Sequence, residues 1–337
     1  MTSINFMVGL PGSGKSTYAK LLAEELDGIV VSSDGIRAEW YGSEEILGDA
    51  GKIFREGDEL SLDGSTGNIY DIAIKTVPAD PNSGYFGRIM KLADKYKALG
   101  VRTNADTPAD AKKARELGAE GIGLCRTEHM FFEGEKIRAM REMILAETVE
   151  GRRAALKKIL PYQQNDFKGI FKAMEGCPVT VRLLDPPLHE FVPHEEKEQR
   201  ELAEIMGVSF DYIRHRVDSL HEANPMLGHR GCRLGNTYPE ITQMQTRAIL
   251  GAALELKKEG VETHPEIMVP LTGILHEFAN QEAVIRAEAA KLFEEVGDSI
   301  DFKVGTMIEI PRAALTADRI ATKAEFFSFG TNDLTQM

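Results

Sequence analysis

The sequence predicts an α/β protein whose larger part is an incomplete (β/α)₈ barrel. Beyond about residue 85, seven short apolar runs alternate with long amphipathic helical patterns, as is typical of parallel strands with helical crossovers. The runs are apolar on both faces, which fits a sheet covered on both sides. Seven units over about 250 residues favour a barrel over an open sheet but leave it one unit short. The runs are 101–105, 121–125, 179–184, 226–231, 266–271, 302–310 and 326–330.

Composition excludes several classes of function. The chain has 337 residues, 53 of them acidic and 40 basic, and a net charge of −13, so general binding of nucleic acid is not expected. No apolar run approaches the roughly 20 residues of a membrane helix, so no membrane partner is expected. Three cysteines do not make a disulfide framework, which favours a reducing, cytoplasmic location.

Residues 1–48 have a different pattern, a βαβ opening that carries a phosphate-binding loop. The motif G-x-x-x-x-G-K-[ST] lies between an apolar run and a helical pattern, and it comprises Gly9, Gly12, Gly14, Lys15 and Ser16. Glycines let backbone N–H groups surround a phosphate, the lysine reaches the β/γ-phosphates and the serine holds Mg²⁺. This segment therefore predicts ATP binding by a partial P-loop unit.

The residues after the second apolar run resemble small P-loop kinases of the polynucleotide-kinase and zeta-toxin type. The resemblance rests on Asp34 and Arg37 in the stretch VSSDGIR and ends near Gly48. It implies that Asp34 acts as the base for an acceptor hydroxyl and that Arg37 holds the acceptor's phosphate.

A short β segment and a linker separate this opening from the barrel. Residues 49–78 contain short strand-like runs joined by Gly-rich turns at 56–58 and 63–67, which is hairpin chemistry. Residues 79–84 are rich in Pro, Asn and Ser and are predicted to be a linker. The barrel is assigned to residues 85–337.

Charged side chains gather at the carboxyl ends of the barrel's apolar runs, where barrel enzymes place their chemistry. Arg126, Arg182 and Arg230 are predicted to end three successive strands, and several arginines at one mouth call for an anion such as phosphate. Glu309 and Asp333 supply hard oxygen ligands suited to Mg²⁺. Further donors come from Gly330, Thr331 and Asn332. The set predicts a small ligand that bears both phosphate and carboxylate.

The barrel residues also resemble the phosphoenolpyruvate/pyruvate-binding TIM barrel of the pyruvate, phosphate dikinase family, a type of PEP-utilising enzyme. The stretches TEHMFF, RLLDPPLHEF, GHRGCRLG and GTNDLTQ carry this resemblance, and residues 50–78 resemble the end of that family's swivelling phosphohistidine domain. It implies that the three arginines bind the phosphoryl group, that Glu309 and Asp333 bind Mg²⁺, and that Asn332 contacts substrate. It also implies phosphoenolpyruvate or pyruvate as ligand and a homodimer.

The same resemblance shows what the family has elsewhere. Its phosphohistidine lies in a T-S-H-A-like context, its catalytic cysteine lies in a C-G-E motif on the eighth strand, and an ATP-grasp domain phosphorylates the histidine. None of the eight histidines or three cysteines here stands in such a motif, and the chain ends before an eighth strand. Three hypotheses stay open: a dikinase fragment that binds phosphoenolpyruvate with Mg²⁺, a P-loop kinase acting on a hydroxyl, and a non-catalytic fusion of two gene fragments.

Overall fold

The computed structural model divides into two compact units, Met1–Met90 and Lys91–Met337. It describes residues 46–47, 53–54, 59–63, 68–70, 72–75, 84–131, 134–193, 195–220 and 228–336. The predicted phosphate-binding loop, Asp34 and Arg37 lie outside these residues.

The described part of the first unit contains two small antiparallel pairs. Strand β1 (Ile46–Leu47) pairs with β2 (Ile53–Phe54), and β3 (Ser61–Asp63) pairs with β4 (Asn68–Tyr70) in the register Asp63 to Asn68. The second pair confirms the hairpin that the Gly-rich turn at 63–67 predicts. Helix α1 (Gly84–Tyr96) follows the predicted linker.

The second unit contains a six-stranded parallel sheet whose strands follow one another in chain order. This confirms the predicted α/β class and a partial barrel with helical crossovers. The strands are β5 (Thr103–Asn104), β6 (Ile122–Arg126), β7 (Pro178–Arg182), β8 (His264–Val269), β9 (Lys303–Ile308) and β10 (Phe327–Phe329).

One predicted strand, the run at 226–231, is wrong, because its described residues, 228–231, form no strand. Strand β7 pairs directly with β8, with Val181 opposite Ile267, so no strand lies between them. Gly231 begins a helix at a φ of 57°, which lies in the left-handed region and not in the extended region of a regular strand. A short apolar run does not by itself distinguish a strand from a helix start. The described residues therefore contain six strands of the barrel, and Arg230 does not end one.

Helices cover the sheet, and two of them begin with a clear cap. Thr107 and Thr148 accept hydrogen bonds from the backbone N–H groups of Asp110 and Gly151, as N-cap residues do. Among the described residues no helix is long and apolar enough to cross a membrane. The helices are α2 (Pro108–Glu116), α3 (Gly134–Leu145), α4 (Val149–Ala173), α5 (Glu196–Met206), α6 (Phe210–Leu220), α7 (Gly231–Thr237), α8 (Pro239–Lys258), α9 (Leu275–Val296), α10 (Pro311–Leu315), α11 (Ala317–Ile320) and α12 (Thr331–Gln336).

Two buried clusters hold these layers together. The larger packs the apolar strand residues, such as Val181 and Ile267, against Phe167 of α4, Ile249 of α8 and Phe278 of α9. The smaller lies among α3, α4, α5 and α6, which form a helical layer between β6 and β8 in the chain. Burial of these side chains stabilises the positions of the strands. The loops at the carboxyl ends of the strands lie outside these clusters and can therefore carry polar groups.

Candidate ligand site at the carboxyl ends of the strands

The sheet brings two of the predicted arginines side by side. Arg126 is the last residue of β6 and Arg182 is the last residue of β7, and the two are partners in the register of the parallel pair. Arg230 reaches the same place from another direction, as the residue that caps the start of α7. The convergence predicted for Arg182 and Arg230 therefore occurs, although only Arg126 and Arg182 lie at strand ends.

Asp185 is the centre of this arrangement, and it is 2% exposed. Its Oδ2 lies 2.9 Å from Nη1 of Arg182 and 2.9 Å from Nη2 of Arg230. Nε of Arg230 also donates to the backbone oxygen of Asp185 at 3.1 Å. One buried carboxylate thus orients two guanidinium groups that come from separate segments.

Glu128 holds the other side of Arg182. Nη2 of Arg182 donates to Oε1 of Glu128 at 2.5 Å, and both side chains are nearly inaccessible to water. Burial by itself lowers the pKa of Arg182, but the adjacent charges of Asp185 and Glu128 more than offset it, so the pKa lies above its ordinary value. Arg182 is therefore a permanent cation clamped between two acids.

Arg126 is positioned by Asp106, which follows β5. Oδ1 of Asp106 accepts the backbone N–H of Arg126 at 2.7 Å, while Oδ2 lies 3.6 Å from Nη1 of the same arginine. Nδ1 of His129 lies 2.7 Å from the same Oδ2. Asp106 therefore fixes both the main chain and the side chain of Arg126.

The two predicted metal ligands also lie together. Glu309 directly follows β9, and Asp333 is in the first turn of α12. A Cβ atom added to Gly330 would lie 3.0 Å from Oε2 of Glu309 and 3.1 Å from Oδ2 of Asp333. The two carboxylates thus face each other across a glycine that leaves them room.

Burial dominates the electrostatics of Glu309, which is 2% exposed. It raises the pKa of Glu309 to about 7, and the charges of Asp185 and Asp333 act in the same direction. A backbone hydrogen bond of 2.6 Å from Leu271 to Oε1, together with Arg182, acts in the opposite direction. Glu309 therefore holds its proton more strongly than an exposed glutamate does.

Several buried polar atoms of this cluster have no hydrogen-bond partner. They are Oδ1 of Asp185, Oε2 of Glu128 and Nε of Arg182. Atoms of this kind are costly unless a ligand, an ion or water satisfies them. The described residues contain no group of three or more His, Cys, Asp or Glu side chains arranged to hold a metal ion, so any cation here needs oxygen atoms from elsewhere.

Two further predicted residues, Thr331 and Asn332, directly follow Gly330. Thr331 and Asn332 are exposed at the start of α12. The ring of His229 packs against Tyr238 with centroids 5.5 Å apart. Burial raises the pKa of the Cys232 thiol to about 12 and that of Cys125 well above its ordinary value, so both thiols are protonated and poor nucleophiles.

Sequence reasoning missed the acids that hold the arginines. Asp185 stands three residues after Arg182, just before two prolines, and Asp106 directly follows a predicted strand. Polar residues at strand ends are a signal that could have selected both. Glu128 also stands just after a strand, but its contact with Arg182 depends on the alignment of two strands and on the 3₁₀ turn Thr127–Phe131, which the sequence does not reveal.

The chain is similar in sequence to two family profiles and to several known proteins. The family profile described as PEP-utilising enzyme, PEP-binding domain matches residues 81–337, and a profile described as AAA domain matches residues 4–66. Proteins named pyruvate, phosphate dikinase are similar over 96% of the chain: 55% identity in Clostridium symbiosum and 50% in Giardia intestinalis. A maize (Zea mays) protein named pyruvate, phosphate dikinase 2 is 52% identical over the same share.

The chain corresponds to only part of these relatives. It spans 37% of the length of the Clostridium protein and 36% of the Giardia protein. Since those alignments cover 96% of this chain, they overlap the region that matches the AAA domain. The profile match over residues 81–337 includes the whole parallel sheet and every residue of the arginine and carboxylate cluster. The chain therefore belongs to the family of PEP-utilising enzymes and carries their PEP-binding domain.

Proposed function

We propose that this chain binds phosphoenolpyruvate or pyruvate at the carboxyl ends of its strands and serves phosphoryl transfer in a pyruvate, phosphate dikinase. The proposal extends to this chain the activity named for relatives at 50–55% identity. The observation that carries it is that Arg182 and Arg230 meet at one buried oxygen of Asp185. Two forked guanidinium groups held in fixed positions suit the bidentate recognition of a phosphate or carboxylate.

The charge balance of the cluster makes a divalent cation part of this proposal. Three arginines stand among five carboxyl groups, those of Asp106, Glu128, Asp185, Glu309 and Asp333. An anionic ligand is repelled by such an excess of acid unless a cation offsets it. Binding of phosphoenolpyruvate should therefore require Mg²⁺.

Glu309 and Asp333 fit the needs of that cation. Magnesium in phosphate sites commonly takes one or two carboxylates and completes its shell with water and substrate oxygens. Oε2 of Glu309 and Oδ2 of Asp333 both border the space at Gly330, and a cation there would relieve the unfavourable burial of Glu309. When bound, Mg²⁺ would neutralise charge on the phosphoryl and carboxylate groups of the ligand. We propose that Gly330, Thr331 and Asn332 contact the ligand beside it.

Calorimetry of the full chain tests this function. Phosphoenolpyruvate titrated with Mg²⁺ should bind to the natural chain, and a chelator should abolish the binding. Glu309→Ala should lower the affinity for phosphoenolpyruvate at least ~10-fold, because it removes a carboxylate proposed to bind Mg²⁺. Arg200→Ala, which breaks an exposed ion pair within α5, serves as the control and should bind normally. Absence of binding to the natural chain with Mg²⁺ would exclude the proposal.

A second activity, nucleotide binding at the phosphate-binding loop, is favoured by the match of residues 4–66 to the AAA domain. We propose that Lys15 and Ser16 hold the phosphates and Mg²⁺ of ATP, with Asp34 and Arg37 at an acceptor. Lys15→Ala should abolish ATP binding measured by filter retention or fluorescence. Equal affinity in the variant and the natural chain would refute it.

We also propose that the protein forms a homodimer and is located in the cytoplasm. Small-angle scattering would test the dimer, and cell fractionation would test the location.

A further inference from the structure

Leu271 has an unusual backbone. Its φ is 57°, and among the described residues it is the only one other than glycine with a positive φ. Leucine seldom adopts this left-handed conformation, because its Cβ crowds the following carbonyl. A strained backbone conformation of this kind persists only where several contacts from the surrounding structure enforce it. Such conformations are concentrated at functional sites.

The loop after β8 is fixed from both sides. On one side, Oγ1 of Thr306 on β9 donates to the backbone oxygen of Val269 at 2.7 Å and lies 2.8 Å from Oγ1 of Thr272. On the other side, the backbone N–H of Cys232 donates to the oxygen of Pro270 at 3.0 Å. These bonds hold the residues before and after Leu271.

Helix α7 also contacts Leu271 itself. Sγ of Cys232 donates to the backbone oxygen of Leu271 at 3.0 Å. A Cβ atom added to Gly231 would lie 2.9 Å from Cβ of Leu271, so the loop occupies space that any other residue at 231 would fill. The conformation of Leu271 is thus imposed by β9 and α7 together.

This conformation directs the N–H of Leu271 to Glu309. The N–H donates to Oε1 at 2.6 Å, in a place where both groups are buried. The other oxygen, Oε2, is then left on the side of Gly330 and Asp333. A carboxylate whose one oxygen is anchored by the backbone has a fixed orientation for the other.

We propose that the strained Leu271 peptide is a positioning element for Glu309, reserving Oε1 for the backbone and Oε2 for a divalent cation. Its second part rests on the proposed function, since it needs a cation at Glu309. Leu271 touches no ligand in this role and acts through its N–H alone. The backbone conformation, rather than the leucine side chain, is therefore what the site requires.

The first test needs no metal. Hydrogen exchange of the amide at position 271 in the metal-free chain, followed by NMR with ¹⁵N-labelled leucine, should show strong protection. Glu309→Ala should reduce the protection of that amide at least ~10-fold by removing its buried acceptor. An unprotected amide in the natural chain, or full protection in Glu309→Ala, would overturn the proposal.

The second test separates conformation from side chain. Leu271→Ile keeps the volume and hydrophobicity but is β-branched, and such residues are outliers at positive φ. It should weaken binding of Mn²⁺, measured by electron paramagnetic resonance, at least ~10-fold. Leu271→Met, which is unbranched at Cβ, is the matched control and should stay within ~2-fold. Equal Mn²⁺ affinity in the Ile and Met variants would contradict the positioning role. If the natural chain bound no Mn²⁺, the metal site would fail, and amide exchange would still decide the positioning of Glu309.

Discussion

Two arginine–carboxylate networks occupy the parallel sheet, and they differ in how completely they are satisfied. Nearer the amino ends, Arg102 donates to Oε2 of Glu266 at 2.6 Å, and Thr180 donates to the same oxygen at 2.7 Å. A second nitrogen of Arg102 reaches Oε1 at 3.4 Å. At the carboxyl ends, by contrast, Asp185 and Arg182 retain buried atoms without a hydrogen-bond partner.

The difference supports the proposal that the first network stabilises the fold and that the second receives a ligand. In the first network both carboxylate oxygens of Glu266 already accept hydrogen bonds, so a ligand would satisfy no missing hydrogen bond there. In the second, Oδ1 of Asp185 and Nε of Arg182 are buried and unsatisfied, which is unfavourable until something else supplies the missing bonds. In the function proposed above, the same pair of residue types serves structure at one end of the sheet and ligand recognition at the other.

Removing the arginine of each network should produce the largest effects. Arg182→Ala leaves Asp185 and Glu128 buried and short of a partner, so the free energy of unfolding should fall by about 3–5 kcal/mol. Arg102→Ala should cost only about 1 kcal/mol, since Arg102 itself is 40% exposed and Thr180 still donates to Glu266. Denaturant unfolding measures both. An Arg182→Ala chain as stable as the natural one would contradict the view that this pair is buried.

The pH dependence of stability tests the burial of Glu309. Its pKa is raised from 4.5 to about 7 in the folded chain, so the unfolded chain releases the proton first as pH rises. The free energy of unfolding of the metal-free chain should therefore fall between about pH 4.5 and 7, by up to about 3 kcal/mol. Glu309→Gln cannot ionise and should lack this fall, as urea unfolding across the pH range would reveal. Parallel curves for both proteins would argue against a raised pKa.

Gly330→Ala should have a moderate effect confined to the metal side of the site. The added Cβ would lie 2.6 Å from Cβ of Glu309, so Glu309 must move away from Asp333. We expect Mg²⁺-dependent affinity for phosphoenolpyruvate to drop about 10-fold, in the range seen when the support of a metal ligand is lost. Gly100→Ala, where the nearest side-chain atom is 3.5 Å away, is the control. Titration calorimetry that gives both variants the same affinity would refute the steric argument.

Asp106→Asn should have the smallest effect. Asparagine can still accept the N–H of Arg126, but it loses the charge that faces the guanidinium at 3.6 Å. Because Arg126 is partly exposed, the affinity for phosphoenolpyruvate should fall only about 2–5-fold. Asp301→Asn, at an exposed position, provides the comparison in the same binding assay. A loss of 100-fold would mean that Asp106 contacts the ligand directly.

The sequence predicted the repeating part of the structure better than its local exceptions. Alternating apolar runs identified six strands because a buried parallel strand needs apolar residues on both faces. The strand predicted from the run at 226–231 was wrong, since the helix start at Gly231 depends on packing against Leu271. Glycine-rich turn chemistry correctly predicted the hairpin at 61–70.

The charged residues of the site could be predicted from the sequence. The backbone conformation that positions them could not. Arg126, Arg182, Glu309 and Asp333 are polar residues placed just after or near strand ends, and that position alone selects them. The left-handed backbone of Leu271 leaves no trace in the sequence, because leucine has no preference for it. Such a conformation is created by tertiary contacts from β9 and α7.

The central claim is that the carboxyl-end network is built for a ligand and the amino-end network is not. Thermal unfolding with Mg²⁺ and phosphoenolpyruvate at 100 times the dissociation constant tests it most directly, because a ligand at that level stabilises the folded chain by about 2.7 kcal/mol. The account predicts this gain in the natural chain and in Arg102→Ala, and none in Arg182→Ala or Arg182→Lys. An equal gain in all four proteins, or none in the natural chain, would contradict it.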